Sequence, residues 1–321
     1  MRAYAADRSV IGVVGPFNSP CASREIAIAN RAPGGPLAMI SPSTTSVGLT
    51  HVGPGSQPGE PGIYYPTGRR NFVRIVPADD VQAAADVLLA RQLRLRRVFV
   101  AHDGFETYGL GVAESFAINA MRRGLGVAGR GTWPAPVGTA IQAFVRTVAR
   151  THPDGIFLGG IAEDPAVAPL IQGLRAAIPH LQLMGADVFA GLSQLARDVG
   201  PAVEGMTASD PGIAPSLLTG PGRQFAAQFS KQIGGTFYPW TAYGAQAADV
   251  LLNAIARSNG TRASITKALL ATHVHNGIIG SFAFTRTGDT TAESVTIIRV
   301  EHGHQVPLRV ITPPATPMDG R

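Results

Sequence analysis

Lysine is nearly absent from this 321-residue chain: only Lys231 and Lys267 occur, so arginine carries almost all of the positive charge. Lys and Arg together number 27 against 21 acidic residues, a formal charge of +6. The one dense basic run, Arg94, Arg96 and Arg97, falls between a helical pattern and an apolar strand, as a solvated helix end does. Without a broad basic face or a recognisable module, nucleic acid is not an expected partner. Cysteine occurs once, at Cys21, which excludes an intramolecular disulfide framework and leaves the redox compartment unread. Charged residues make up only 15%, too few for a highly charged disordered chain. No run of about 18 apolar residues is present, so no transmembrane helix is expected. The opening MRAYAADRSV lacks the apolar stretch of a secretory signal.

The motifs of several enzyme classes are missing as well. No G-x-S-x-G elbow occurs for a serine hydrolase. Neither G-x-x-x-x-G-K-[ST] nor G-x-G-x-x-G follows a strand, so no phosphate or dinucleotide loop is expected. His273/His275 and His302/His304 are spaced two apart, but no Cys, Asp or Glu stands at metal-site spacing beside them. They read as solvent-facing strand histidines, and Cys21 as a small packing residue. No catalytic residue, metal or cofactor is expected.

What is present is a globular α/β pattern. The chain is 45% hydrophobic, and its length suits two lobes of roughly 130–170 residues. Short apolar runs at 10–14, 37–40, 97–101, 155–158 and 182–184 read as strands. Amphipathic windows at 22–30, 80–93, 109–123, 139–150, 164–177, 222–233 and 241–257 read as helices. Within 80–93, Val81, Ala84, Ala85, Leu88 and Leu89 recur at three- and four-residue spacing and form one buried stripe. Strand and helix in alternation predict parallel sheets covered on both faces. The runs 278–284 and 294–300 are strand-like, with a turn at Thr287-Gly288-Asp289. Residues 51–70 are Gly- and Pro-rich without an apolar period, and read as a long surface loop of functional or mobile character. The Pro-rich tail 312–321 reads as disordered.

In open α/β sheets, ligands bind beyond the carboxyl ends of strands. Three such ends carry polar sets. Val14-Gly15-Pro16-Phe17-Asn18-Ser19 leads into a helix start, where free amides and the helix dipole favour a carboxylate; alternatively Ser19 or Ser23 caps that helix. Ile40-Ser41-Pro42-Ser43-Thr44-Thr45-Ser46 crowds hydroxyls that suit a zwitterion's carboxylate, or forms an ordinary Ser/Thr-rich turn. Met184-Gly185-Ala186-Asp187 ends in a lone carboxylate that either meets an ammonium group or caps the next helix.

Taken in order, these segments resemble a family. They are joined by Ala101-His102-Asp103 through Tyr108-Gly109, Phe157-Leu158-Gly159-Gly160 and Trp240-Thr241-Ala242-Tyr243-Gly244-Ala245. From about residue 8 to residue 300 the chain resembles the leucine/isoleucine/valine-binding group of type I periplasmic solute-binding proteins. The resemblance implies two Rossmann-like α/β lobes, joined by a three-strand hinge, that close over a ligand without covalent chemistry. It implies lobes of 1–77 plus 209–290 and of 78–208 plus 291–311. Asn18, Ser19, Ser43, Thr44 and Thr45 fall at first-lobe ligand positions, and Tyr108 and Asp187 at second-lobe ones, with Asp187 facing an ammonium. Ile161 or Ala162 stands where the family often has an aromatic residue, which implies a differently shaped side-chain pocket, and Ile161 is the candidate ligand contact. Trp240, with Tyr238, is a candidate pocket wall, or else plain core packing.

Relative to that pattern, the chain starts after the family's first strand, helix, strand and helix, so an incomplete first lobe with unpaired sheet edges is expected. The function implied is capture of an amino-acid-like solute for an ABC transporter permease, in a periplasmic or extracellular setting. The alternative is a ligand-sensing domain of a receptor or regulator. Membrane contact is expected only through the permease or a lipid anchor outside this chain.

Overall fold

The computed structural model describes residues 1–104, 108–136, 139–191, 193–234 and 237–314, apart from the side chains of Ser193, Gln194 and Pro239. The chain opens with α1 (Arg2–Ala6), β1 (Gly12–Val14), α2 (Ser19–Asn30), β2 (Ala38–Ser41) and β3 (Phe72–Arg74). A long alternating stretch follows: α3 (Asp79–Gln92), β4 (Arg97–His102), α4 (Gly109–Arg122), β5 (Gly126–Thr132), α5 (Ala140–Arg150), β6 (Gly155–Gly159) and α6 (Val167–Ala177). Next come β7 (Gln182–Gly185), α7 (Ser193–Val199), β8 (Thr207–Pro211), α8 (Gly220–Ile233), α9 (Pro239–Ala256) and α10 (Arg262–Leu270). The chain ends in β9 (His273–Gly277), β10 (Gly280–Ala283), β11 (Val295–Glu301) and β12 (His304–Ile311).

These elements divide into two compact units, 1–78 with 212–294, and 79–211 with 295–314. Among the described residues the chain therefore crosses between units at 78/79, 211/212 and 294/295, against expected crossings at 77/78, 208/209 and 290/291. The tail beyond 314 lies outside the described residues.

The first unit is built on a parallel sheet ordered β1-β2-β3. Strand alternation sends Ala38 and Ile40 to one face, against α9 and α10, and Leu37 and Met39 to the other, against α2. β1 is an edge strand, and its Val14 is 43% exposed. Ahead of it, Arg262 of α10 is buried and donates all five of its N–H groups to carbonyls of Tyr4, Ala5, Asp7, Val10 and Pro33. An antiparallel hairpin of β9 and β10 completes the unit.

The second unit holds a seven-stranded sheet ordered β12-β11-β8-β7-β6-β4-β5, parallel from β8 to β5 and antiparallel at β11 and β12. Both faces are covered. Val98, Val100 and Phe157 pack toward α3 and α4, while Phe99, Ile156 and Leu158 pack toward α5 and α6. Near-continuous apolar runs are the sequence mark of strands buried on both sides.

Loop 51–70 departs from expectation. It is not a free surface loop: Tyr64 and Tyr65 are buried with Leu37, Met39 and Phe72, and the Tyr65 hydroxyl donates to Leu49 O at 2.7 Å. Its aromatic pair anchors a segment whose Gly and Pro content hid that burial.

Candidate functional site

In the first unit, the loops after β1 and β2 interlock. Gly15, at φ 137°, takes a turn that a side chain disfavours, and a cis Pro16 follows. Asn18 then caps α2, its side-chain oxygen accepting from Cys21 N at 2.9 Å. The cap is thus Asn18 rather than Ser19 or Ser23. Ser19 Oγ is free of that task and accepts instead from the amides of Thr45 and Ser46, both at 3.2 Å. Ser41 Oγ donates to Pro16 O and accepts from the amides of Ser43 and Thr44, and Ser43 Oγ donates to Phe17 O at 2.5 Å. Thr44 Oγ1 is buried and has no hydrogen-bond partner. Trp240 joins this group through an edge-to-face contact with Phe17, ring centroids 6.1 Å apart.

Beneath the second loop lies a charge network that the sequence motifs did not mark. Arg74, fully buried on β3, donates to Ser46 O at 2.6 Å, to Thr50 Oγ1 and to Asp289. Asp289 also accepts from Thr50 and faces His51 at 3.0 Å. Burial pushes the Asp289 carboxyl up, but Arg74's charge and the His51 and Thr50 contacts prevail and hold it well below the carboxylate range. Arg74 therefore pins the backbone of the hydroxyl loop from below.

In the second unit, three loops follow β4, β6 and β7, which are neighbours in the sheet. They carry Tyr108, Ile161 and Asp187 respectively. The Tyr108 hydroxyl donates to Asp187 Oδ1, and the Gln82 amide reaches the same oxygen at 3.4 Å and Ser209 Oγ at 2.8 Å. Ser209 Oγ in turn donates to Asp86 at 3.0 Å. Gln82 Oε1 is buried without a partner. Ile161 is 37% exposed, and its amide donates to Asp103 Oδ2 at 2.8 Å, which fixes the loop after β6. A side chain at Gly160 would meet Trp133 at 2.6 Å and Asp103 at 2.7 Å, so that loop needs glycine for close approach.

Asp187 does not cap a helix through its side chain. It is 7% exposed and, among the described residues, has no Arg, Lys or His within ion-pairing distance. Burial raises its pKa, while bonds from Tyr108, its own backbone and Gln82 oppose the rise. Burial and then the charge of Asp187 push Asp210 up to about 7, and Asp86 is also raised, chiefly by burial. The Tyr108 phenol is raised too, by burial and then by Asp187, so it remains a donor. This is an acidic, cation-poor interior.

A family model for periplasmic binding proteins matches residues 3–305. The chain belongs to the periplasmic binding protein family. Among solved structures, the leucine-binding protein LivK of Thermotoga maritima shares 24% identity at a TM-score of 0.80, covering 97% of this chain and 83% of that one. LivJ of Streptococcus pneumoniae, in complex with isoleucine, shares 18% at 0.75, covering 98% and 85%. A solute-binding protein from R. palustris, in complex with 4-hydroxybenzoate, shares 15% at 0.76, covering 98% and 83%. No curated protein matches in sequence.

In this periplasmic binding protein, the residues singled out from sequence fall into two groups, one per unit. Ser19, Ser43, Thr44 and Thr45 meet in the first, with Asn18 as cap and Trp240 alongside. Tyr108 and Asp187 meet in the second, and Ile161 lies on the intervening strand's loop. Tyr238 is 63% exposed, and Cys21 is exposed rather than a packing residue. Gln82, Asp86, Ser209 and Asp210 were missed, since Gln82 and Asp86 sit inside a helical window and β8 has no apolar run. Chemically, the first unit offers hydroxyls and amides suited to an anion, and the second a desolvated carboxylate suited to a cation.

Proposed function

We propose that this protein captures an amino acid or a related small polar solute outside the cytoplasmic membrane and delivers it to an ABC permease. The observation that carries this reading is Asp187, a buried carboxylate with donors but, among the described residues, no cation beside it. A buried carboxylate left without a counter-charge is unfavourable, and a ligand ammonium supplies one. Leucine, isoleucine and 4-hydroxybenzoate, the ligands of similar solved proteins, share a carboxylate; only the amino acids carry an ammonium as well. Asp187 therefore favours an amino acid over an aromatic acid.

In this reading Ser19, Ser43, Thr44 and Thr45 serve the carboxylate, with Thr44 Oγ1 supplying an unused hydroxyl. Tyr108 orients Asp187, and Ile161 and Trp240 shape the side-chain end. Capture by hinge closure, as the family resemblance implies, would let a ligand select the arrangement that satisfies both sets of contacts. The test is a thermal-shift screen of L-amino acids, followed by calorimetric titration of the best binder into wild type and Asp187→Asn. The isosteric variant is expected to bind about 100-fold more weakly or worse, the weight of a broken buried ion pair. Unchanged affinity in Asp187→Asn would remove the ammonium site.

A further inference from the structure

The first unit has a concave feature away from the loops described above. A cavity of about 450 Å³ is lined by four cationic side chains, Arg69, Arg70, Lys267 and Arg286, over an apolar floor that includes Pro36 and Leu270. Pro36 lies two residues before β2, and Arg69 and Arg70 lie three and two residues before β3. The cavity therefore lies where the parallel strands begin, at the opposite end of the sheet from the hydroxyl loops.

Three features make this more than a basic surface. Among the described residues, no carboxylate lines the cavity or pairs with any of its four cations. Like charges gathered on one cavity repel one another, and a multivalent anion relieves that repulsion. Second, the arginines are held in place. Asn30 Nδ2 donates to Arg69 O at 2.7 Å and fixes the backbone, while the Arg70 guanidinium stacks 4.1 Å over the Tyr65 ring. Third, Arg70 Nη1 is shielded from water and has no hydrogen-bond partner. A guanidinium held against an aromatic ring at the cavity lining has a planar fork that matches phosphate oxygens.

We propose that this cavity is an anion site for a phosphate-bearing group of two or more negative charges, independent of the amino-acid reading. It gives the arginine-bearing end of the loop 51–70 a role that solute capture does not use. The group is either a small soluble phosphate or the headgroup of an anionic lipid, and the two share the chemistry that Arg69, Arg70, Lys267 and Arg286 recognise.

The test uses the full chain and two probes. Pyrophosphate is titrated calorimetrically at low and high salt, and cosedimentation is measured with vesicles containing phosphatidic acid, whose phosphomonoester can carry two negative charges, and with phosphatidylcholine vesicles. Binding of pyrophosphate, weakening with salt, supports a soluble ligand; binding of phosphatidic acid vesicles without pyrophosphate supports a headgroup. Lys267→Gln and Arg286→Gln, both at exposed positions, are each expected to weaken whichever probe binds by about tenfold, the weight of one charge-assisted hydrogen bond. Arg70→Gln should weaken it further. Arg94→Gln and Arg96→Gln, in the basic run of the other unit, should leave binding unchanged. The proposal is overturned if neither probe binds, or if the two control variants lose as much affinity as the cavity variants.

Discussion

Arg74 and Asp187 show opposite ways of placing a charge inside a protein. Arg74 has a carboxylate, a hydroxyl and backbone carbonyls around it, and its burial holds the loop that carries Ser43, Thr44 and Thr45. Replacing Arg74 by Leu leaves Asp289 buried without its cation, so a loss of about 3–5 kcal/mol is expected in denaturant unfolding. A loss within ordinary surface-substitution range would mean that the network is not structural. Asp187 has no such partner among the described residues. Burial first, and then the charge of Asp187, raises the Asp210 pKa from an ordinary 3.8 to about 7, so the folded state binds its proton more tightly than the unfolded state. Stability from this group is complete below about pH 4 and is lost as pH rises to about 7, an effect of up to about 4 kcal/mol. Asp210→Asn is therefore expected to flatten the thermal midpoint across this window and to raise it at neutral pH. A wild-type midpoint independent of pH there would contradict the assignment.

At the scale of elements, the proposed ligand residues stand on loops or in the first turns of helices, while the strands that lead to them are largely apolar. This is why some elements could be read from sequence and others could not. β4, β6 and β7 are buried on both faces and appear as apolar runs, and α4 to α6 show an apolar stripe; α3 departs from the single stripe expected of it, being buried nearly all round, with Gln82 and Asp86 buried beside its apolar residues. β5 reads Gly126-Val127-Ala128-Gly129-Arg130-Gly131-Thr132, and β8 reads Thr207-Ala208-Ser209-Asp210-Pro211; neither has an apolar run, since pairing and tertiary packing define them. β3, only three residues long, and α10, with weak amphipathicity, were passed over for related reasons. Asn18 illustrates the limit at a single position: N-cap, ligand contact and turn former share one residue type, and only geometry chooses among them. α10 matters beyond packing, because Arg262 holds the segment from Tyr4 to Val10. Arg262→Ala leaves five carbonyls without that donor, and it is expected to lower stability by about 2 kcal/mol or more. Hydrogen exchange should show the loss first in α1 and β1; uniform destabilisation with protected termini would argue against the clamp.

The whole molecule is two α/β units linked by a chain that passes between them repeatedly, and membership of the periplasmic binding protein family accounts for that path. No helix among the described residues is long and apolar enough to cross a membrane. The family was legible because the polar strand-end segments follow one another in a characteristic order, although identity to the leucine-binding protein of Thermotoga maritima is only 24%. The proposed ligand chemistry was only half legible: hydroxyls and a carboxylate at strand ends suggested polar contacts, whereas the burial of Asp187, with no cation beside it among the described residues, came from the structure. One comparison tests the central claim most directly. The best-binding L-amino acid, its decarboxylated amine and its deaminated acid are titrated calorimetrically under one condition. The account predicts tight binding of the zwitterion and affinities about 100-fold weaker for both truncated forms, each of which leaves one charged contact unmet. Equal affinity for the deaminated acid would contradict it.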